Sequence, residues 1–174
     1  RSDIIGLKDI YEIKIYGHLA YLATPFGVVV IDLENEEIID DYQNLGVGGV
    51  SLAVRSLDIL NDTLYIATTE GLKYAPANDP SINLKNFSSW STNATYDSAY
   101  LIYAHNSGLY FVSDSLLYKY KNNRYSQVES EAKDYQDISS TYDKLVVVRK
   151  EGIAVIDANG SISERAESSM SAAL

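Results

Sequence analysis

Short apolar runs interrupted by polar kinks dominate the chain, and no segment keeps the 3.6-residue period of an amphipathic helix. The run LYIATTEGLKYA (64–75) is typical, because two almost continuously apolar stretches flank the polar kink TTEG (68–71). Strands that are apolar throughout have both faces covered, whereas strands with one wet face alternate. The pattern therefore predicts an all-β protein whose inner strands are buried on both sides.

The same run recurs along the chain. Its four copies are AYLATPFGVVVI (20–31), LYIATTEGLKYA (64–75), GLYFVSDSLLYKY (108–120) and KLVVVRKEGIAVID (144–157). Tyr65 aligns with Tyr21, 44 residues earlier, and Gly71 aligns with Gly27. The third copy is one residue shorter at the kink and lacks the glycine. Self-similarity at a spacing of about 40 residues indicates a repeat architecture.

Each copy divides into the same parts. A short first strand such as SLDI leads through a tight turn into the second strand, and the kink leads into the third. A more polar fourth strand ends the unit, with EEIIDDY (36–42) and KNFSSW (85–90) as candidates. A repeated four-stranded unit of about 40 residues describes the blade of a β-propeller. We therefore expect one propeller domain over residues 1–174, with four-stranded antiparallel blades at about 10–42, 54–90, 98–128 and 136–163.

Composition narrows the possible functions. The 174-residue chain carries a formal net charge of −10, which argues against a nucleic-acid surface because phosphate binding needs clustered Lys and Arg. No stretch approaches the roughly 18 apolar residues of a membrane-spanning helix. Cysteine is absent, so the chain has neither disulfides nor thiolate metal sites. Because the chain begins at Arg1, we expect a processed chain or a piece of a longer one.

Candidate catalytic chemistry is sparse. The two histidines, His18 and His105, lie two predicted blades apart, which argues against a shared metal or acid–base role. The segment DANGS (157–161) resembles the start of a calcium loop but lacks the remaining acidic ligands, so an Asx turn is the better interpretation. We therefore predict a protein that is not an enzyme and that has no cofactor and no metal.

Two long runs resemble a known family. AYLATPFGVVVIDLENEEIIDDYQNLGVGGVSLAVRSL (20–57) and TLYIATTEGLKYAPANDPSINLKNFSSW (63–90) resemble the regulator-propeller repeat of Bacteroidetes sensor domains and, within that group, the N-terminal propeller of PorZ-like proteins of the type IX secretion system. The resemblance extends from about residue 13 to residue 90. It implies a non-catalytic scaffold in the periplasm or on the outer-membrane surface. That scaffold is associated with a sortase that attaches cargo to anionic lipopolysaccharide.

Two other functions stay open. The first alternative is a periplasmic glycan-sensing propeller of a hybrid two-component regulator, and the second is a propeller hydrolase or lyase. The last needs convergent acid–base residues, which the sequence does not supply. The partners that the resemblance implies are proteins of a surface complex, with lipopolysaccharide or another glycan as a further ligand.

Propellers bind partners at the face formed by inter-blade loops and by the turns between second and third strands. This reasoning gives a set of candidate binding residues in the kinked turns: Thr24, Phe26, Thr68, Thr69, Glu70, Asp114, Arg149 and Lys150. The inter-blade loop QNLGVGGV (43–50) is expected at the same face. Phe26 has two interpretations, a binding residue or a packing residue, since its repeat partner is Glu70.

Four repeats are few for a propeller with this motif. Closing a ring at four demands bulky residues near the axis, whereas the innermost strands IKI, SLDI and DISS are modest in volume. We therefore expect a partial propeller whose first and last blades each expose an apolar face. Such faces are rarely left in water. The chain is then expected to self-associate, most simply as a two-fold dimer, or to be one piece of a longer protein.

Overall fold

The computed structural model describes residues 9–77, 79–93, 95–106, 108–157 and 161–167. Its strands form four antiparallel four-stranded sheets, and within each sheet the strands follow one another in chain order. These sheets are the blades predicted from the repeats. The fold is therefore all-β, a partial propeller of four blades.

The strands of the four blades have the following bounds. Blade 1 contains β1 (Glu12–Tyr16), β2 (Leu19–Thr24), β3 (Gly27–Asp32) and β4 (Glu37–Gln43). Blade 2 contains β5 (Val54–Leu60), β6 (Thr63–Thr68), β7 (Gly71–Pro76) and β8 (Ser91–Asn93). Blade 3 contains β9 (Leu101–His105), β10 (Gly108–Ser113), β11 (Leu116–Lys121) and β12 (Arg124–Gln127). Blade 4 contains β13 (Tyr135–Thr141), β14 (Lys144–Arg149), β15 (Gly152–Ile156) and β16 (Ile162–Glu167).

Glycines at two corners let the backbone of the fourth strand, or of the segment after it, approach the turn. Gly27 and Gly71 have φ values of 137° and 93°, and residues with a Cβ atom rarely adopt such backbone conformations. A Cβ at Gly27 would collide with the carbonyl oxygen of Tyr42, and one at Gly71 with that of Tyr96. The third blade has no such glycine. There Asp114 and Ser115 both take left-handed conformations, with φ of 50° and 62°, which makes a tight two-residue turn.

The prediction that KNFSSW (85–90) forms the fourth strand of blade 2 is wrong. Phe87–Ser89 forms a 3₁₀ turn, and the fourth strand, β8, follows it. The Asn86 side chain caps the turn by accepting the Ser88 N–H. Trp90 is buried, donates its indole N–H to the Leu84 carbonyl at 2.9 Å, and lies 6.2 Å from the Tyr42 ring. The segment therefore packs into the junction between blades 1 and 2 instead of adding a strand to a sheet.

Neighbouring blades are held together by buried clusters, one for each junction. We call the face of a blade that packs on the next blade its outgoing face, and the opposite one its incoming face. Between blades 1 and 2, Tyr21, Val28 and Val30 pack with Leu57, Leu64 and Ile66. Between blades 2 and 3, Tyr65 and Leu72 pack with Ile102 and Phe111. Between blades 3 and 4, Tyr110 and Leu117 pack with Ile138 and Leu145.

Two blade faces remain uncovered by any blade in the described part of the chain. The incoming face of blade 1 shows Ile13 and Ile15 at 54% and 69% exposure, and Ile38 is similarly exposed. The outgoing face of blade 4 shows Ile153, with the half-buried Val146 and Val148 beside it on β14. No described residue covers the apolar surface at either end of the arc, whereas the same kind of surface is buried at each internal junction.

Candidate binding face

The kinked turns and the inter-blade loops meet at one end of the blades, because the strands of each blade alternate in direction. Hydrogen bonds connect the two sets of loops. The Glu70 carboxylate accepts the Val47 N–H at 3.0 Å, and the Ser115 carbonyl accepts the Lys133 N–H at 2.8 Å. This end of the molecule is the face to which sequence reasoning assigned the candidate residues. Their role in binding stays a prediction.

Thr24 and Thr68 are buried within their own turns. Each hydroxyl donates to the carbonyl of the corner glycine, Thr24 to Gly27 at 2.9 Å and Thr68 to Gly71 at 2.8 Å. The Thr68 hydroxyl also accepts the Glu70 N–H at 3.1 Å. These hydroxyls fix the corner geometry and do not face solvent. The neighbouring Thr69 is exposed.

Glu70 anchors the loop 43–50 to blade 2. Besides holding the Val47 N–H, its carboxylate forms an ion pair at 3.0 Å with Lys73, whose side chain is almost completely buried. Lys73 in turn donates to the Thr92 hydroxyl at 3.1 Å. Val47, at the tip of this anchored loop, is 74% exposed. The ion pair therefore presents an apolar loop tip in a fixed position.

Phe26 and Asp114 occupy different environments. Phe26 is half-buried and packs against the small cluster of Ala20, Leu22 and Val29 on the incoming face of blade 1. Asp114 is exposed at the tight turn of blade 3.

Arg149 is buried, with 8% of its side chain exposed, and forms an ion pair with the buried carboxylate of Glu129. Glu129 also accepts the Tyr135 hydroxyl at 3.1 Å, and the Arg149 guanidinium lies 5.7 Å from the Tyr135 ring centroid. Burial raises the pKa of Tyr135 to about 12. Sequence reasoning did not anticipate Glu129, since it lies in a loop 20 residues before its partner. The adjacent Lys150 is exposed.

A cleft of about 250 Å³ opens at the opposite end of the molecule, between blades 2 and 3. Two tyrosines and two polar hairpin turns line it: Leu60, Asn61, Thr63, Tyr65, Tyr120, Lys121, Asn122 and Asn123. The Tyr65 and Tyr120 rings lie 6.4 Å apart, and the Tyr120 hydroxyl donates to Asn123 at 3.0 Å. Burial raises the pKa of Tyr65 to about 12. Sequence reasoning missed this cleft, because its walls come from different blades.

The histidines lie apart, as their positions in the repeats predicted. His18 sits in the β1–β2 turn, and His105 ends β9 of blade 3, where it contacts Asn106. Within the described ranges, no three His, Asp or Glu side chains are grouped to hold a metal ion. None of the described segments forms a helix with the length and apolarity that crossing a bilayer requires.

Comparison with known proteins identifies the family. A model of the N-terminal β-propeller domain of PorZ, from the type IX secretion system, matches residues 1–91. The chain belongs to the PorZ N-terminal β-propeller family. No curated protein sequence matches it. The match spans blade 1 and most of blade 2, the region where the sequence resemblance is strongest.

Solved structures share the propeller fold. PorZ of Porphyromonas gingivalis, described as an essential bacterial surface component of the type IX secretion system, superposes with a TM-score of 0.68 at 20% identity, over 92% of this chain and 21% of that one. The extracellular domain of a hybrid two-component system of B. thetaiotaomicron superposes with a TM-score of 0.68 at 18% identity, over 91% of this chain and 22% of that one. The extracellular domain of a one-component system of the same organism superposes with a TM-score of 0.66 at 12% identity, also over 91% of this chain and 22% of that one. The chain spans about a fifth of the length of these proteins.

Proposed function

We propose that this PorZ-type propeller is a non-catalytic binding and scaffold module of a cell-surface complex that serves type IX secretion. The observation that carries this proposal is the family match over residues 1–91. The chain is exported and works in the periplasm or on the outer-membrane surface of a Bacteroidetes-type bacterium. Its partners are proteins of that complex, and it self-associates through its open blade faces.

Cross-linking in the native bacterium tests this function. The tagged chain is recovered from the outer-membrane fraction, and we expect type IX secretion components to be enriched with it. Substituting the exposed turn residues Thr69, Asp114 and Lys150 together by Ala is expected to reduce that enrichment at least fivefold. Substituting Glu34, Glu37 and Lys144, which are exposed at the opposite end and outside the cleft between blades 2 and 3, is the matched control. Recovery without any secretion component overturns the proposal.

The cleft between blades 2 and 3 supports a second candidate function, glycan binding. Aromatic rings with amide and ammonium groups around them suit a sugar, because the ring covers its apolar face while the polar groups bond its hydroxyls. Lys119, Lys121 and Arg124 border the cleft and a neighbouring groove, which favours an acidic saccharide such as that of lipopolysaccharide. A glycan-sensing propeller uses the same chemistry.

Calorimetric titration with purified anionic lipopolysaccharide oligosaccharide and with a neutral oligosaccharide tests the cleft. We expect Tyr120→Ala to weaken binding at least tenfold. Tyr142→Ala is the control, since Tyr142 is 97% exposed at a turn outside the cleft. Equal loss in both variants, or no binding by the unmodified chain, removes this candidate.

A further inference from the structure

Blade 2 carries an insertion that blades 1 and 3 lack. Residues 77–90 connect its third and fourth strands, whereas the short segments 33–36 and 122–123 make the same connection in blades 1 and 3. The course of the insertion is fixed by three Asx turns, at Asp79, Asn83 and Asn86. In repeat proteins, an insertion in a single repeat often marks the binding face. The insertion is therefore a place where a specific site is expected.

A cavity of about 510 Å³ lies between this insertion and β4 of blade 1. Tyr42, Ile82 and Leu84 contribute apolar walls, and Asp40 and Asp79 contribute carboxylates. Its volume falls within the range of about 300–1,000 Å³ that is typical of ligand sites. The cavity belongs to the junction of two consecutive blades, so it does not involve the uncovered face at either end of the arc.

Tyr42 brings an unpaired hydroxyl to this cavity. The side chain is 93% buried, since only 7% of it is exposed, and its ring lies 6.2 Å from that of Trp90. No described residue forms a hydrogen bond with the hydroxyl. Burial raises the pKa of Tyr42, with the neighbouring Asp40 carboxylate as a second cause, so the phenol is neutral at physiological pH. A buried polar group usually has a hydrogen-bond partner, and a ligand in the cavity would supply one.

The two carboxylates can accept a cation. Asp79 Oδ1 accepts the Ser81 N–H at 2.9 Å and the Ser81 hydroxyl at 2.6 Å, which lowers the pKa of Asp79 and keeps it ionised. Its Oδ2 has no partner within the described chain. Asp40 forms an ion pair at 2.8 Å with Lys85, whose side chain is 57% exposed. An ion pair so accessible to water is weak, and another cation can replace Lys85 in it.

We propose that this cavity binds the side chain of an arginine presented by a partner protein. The aliphatic part of that side chain packs against Tyr42, Ile82 and Leu84, as long cationic side chains commonly do on apolar surface. The guanidinium has five N–H donors, enough for both carboxylates and the Tyr42 hydroxyl oxygen. The formal net charge of −10 also attracts a basic partner over a longer range. The inference rests on the binding function proposed above and names the chemistry of one partner.

NMR titration of the isotopically labelled chain with a blocked tripeptide, acetyl-Gly-Arg-Gly-amide, tests the proposal. We expect saturable shifts at Tyr42, Ile82 and Leu84. The matched control is the same tripeptide with citrulline in place of arginine, because citrulline keeps the shape of the side chain without its charge. The citrulline tripeptide should bind at least fivefold more weakly. Equal affinities would overturn the assignment to a cation.

Two substitutions separate the cavity from the general negative charge of the chain. Asp79→Asn is expected to weaken binding of the arginine tripeptide at least fivefold, while its amide oxygen still accepts the Ser81 N–H. Asp143→Asn makes the same change of charge at an exposed turn of blade 4 and should leave the affinity unchanged. Equal losses in the two variants overturn the cavity as the site. A chain that recovers secretion components on cross-linking but does not bind the tripeptide overturns this inference and leaves the proposed function standing.

Discussion

At the residue scale, the same side chain does different work at equivalent positions of the repeat. Glu70 and Glu151 each precede the corner glycine of their blades. Glu70 contacts the buried Lys73 ammonium and the Val47 N–H, whereas Glu151 is exposed at the corner of the last blade. Burial of the cation, not the presence of the carboxylate, decides which glutamate stabilises the fold.

We expect Glu70→Gln to lower the free energy of unfolding by about 2 kcal/mol, because the amide still accepts a hydrogen bond but leaves the buried Lys73 charge without an anion. Urea denaturation followed by tyrosine and tryptophan fluorescence measures the change. Glu151→Gln is the control and should stay within about 0.5 kcal/mol of the unmodified chain. Equal effects of the two substitutions would contradict the role given to Glu70.

Because two tyrosines are buried, the free energy of unfolding is expected to depend on pH in the alkaline range. The pKa of Tyr65 and that of Tyr135 are both raised to about 12 by desolvation, whereas the unfolded chain titrates near pH 10. The folded state therefore holds these protons more tightly, and their stabilising contribution is present below pH 10 and is lost as the pH rises toward 12. We expect the urea midpoint to be constant from pH 8 to about 9.5 and to fall by pH 11. Tyr65→Phe should flatten this fall, and Tyr142→Phe should not.

At the element scale, the corner between the second and third strands is the most constrained feature of a blade. Two solutions occur: a glycine with positive φ beneath the backbone of the following segment, and the pair Asp114 and Ser115 in left-handed conformations. The first brings a carbonyl oxygen of the outer part of the blade close to the corner, which explains why no side chain is tolerated there.

Gly71→Ala is therefore expected to destabilise the protein by about 3 kcal/mol or more, since the new Cβ adds a collision with the Tyr96 carbonyl oxygen to the strain of a positive φ. Gly48→Ala isolates the strain: Gly48 has φ of 76° and no atom within 4 Å of the added Cβ. That control should cost about 1 kcal/mol. Thermal denaturation compares the two, and a cost at Gly71 no larger than at Gly48 would refute the close approach.

At the scale of the whole molecule, the three junctions between successive blades are sealed by buried clusters, and the described chain has one uncovered blade face at each end of the arc. The repeat gives every blade the same order of strands, yet blades 2 and 3 are covered on both faces and blades 1 and 4 on one face within the described chain. The proposed self-association through these faces predicts that the native state is stabilised by mass action.

We expect the midpoint of thermal unfolding to rise by about 2 °C for each tenfold increase in protein concentration, which corresponds to about 0.7 kcal/mol per chain in a dimer. Differential scanning fluorimetry over a hundredfold range of concentration measures it. In Ile15→Asp the midpoint should not change with concentration. A midpoint that is also constant for the unmodified chain would show that the open faces do not meet.

The sequence by itself determined the all-β class and the four repeats, because period, turn residues and corner glycines act over a few neighbouring positions. It also indicated the PorZ-like family, since the matching runs lie in blades 1 and 2. Contacts between segments distant in the chain were decided by the tertiary structure. The sequence pattern predicts a strand over 85–90, but Trp90 is buried against Tyr42 of the preceding blade, Phe87–Ser89 forms a 3₁₀ turn, and the fourth strand begins only at Ser91.

The environment of charged residues was likewise set only by the assembled blades. From the sequence, Arg149 is expected to be an exposed cation in a turn, but in the structure it packs with Glu129 and Tyr135. Lys73 is expected to be a polar strand residue, but in the structure it is buried and paired with Glu70. The tyrosine-lined cleft exists because turns of blades 2 and 3 come together. Burial and charge pairing depend on which surfaces meet. The repeat pattern specifies the surfaces of one blade, but it does not specify which faces of blades 1 and 4 are covered.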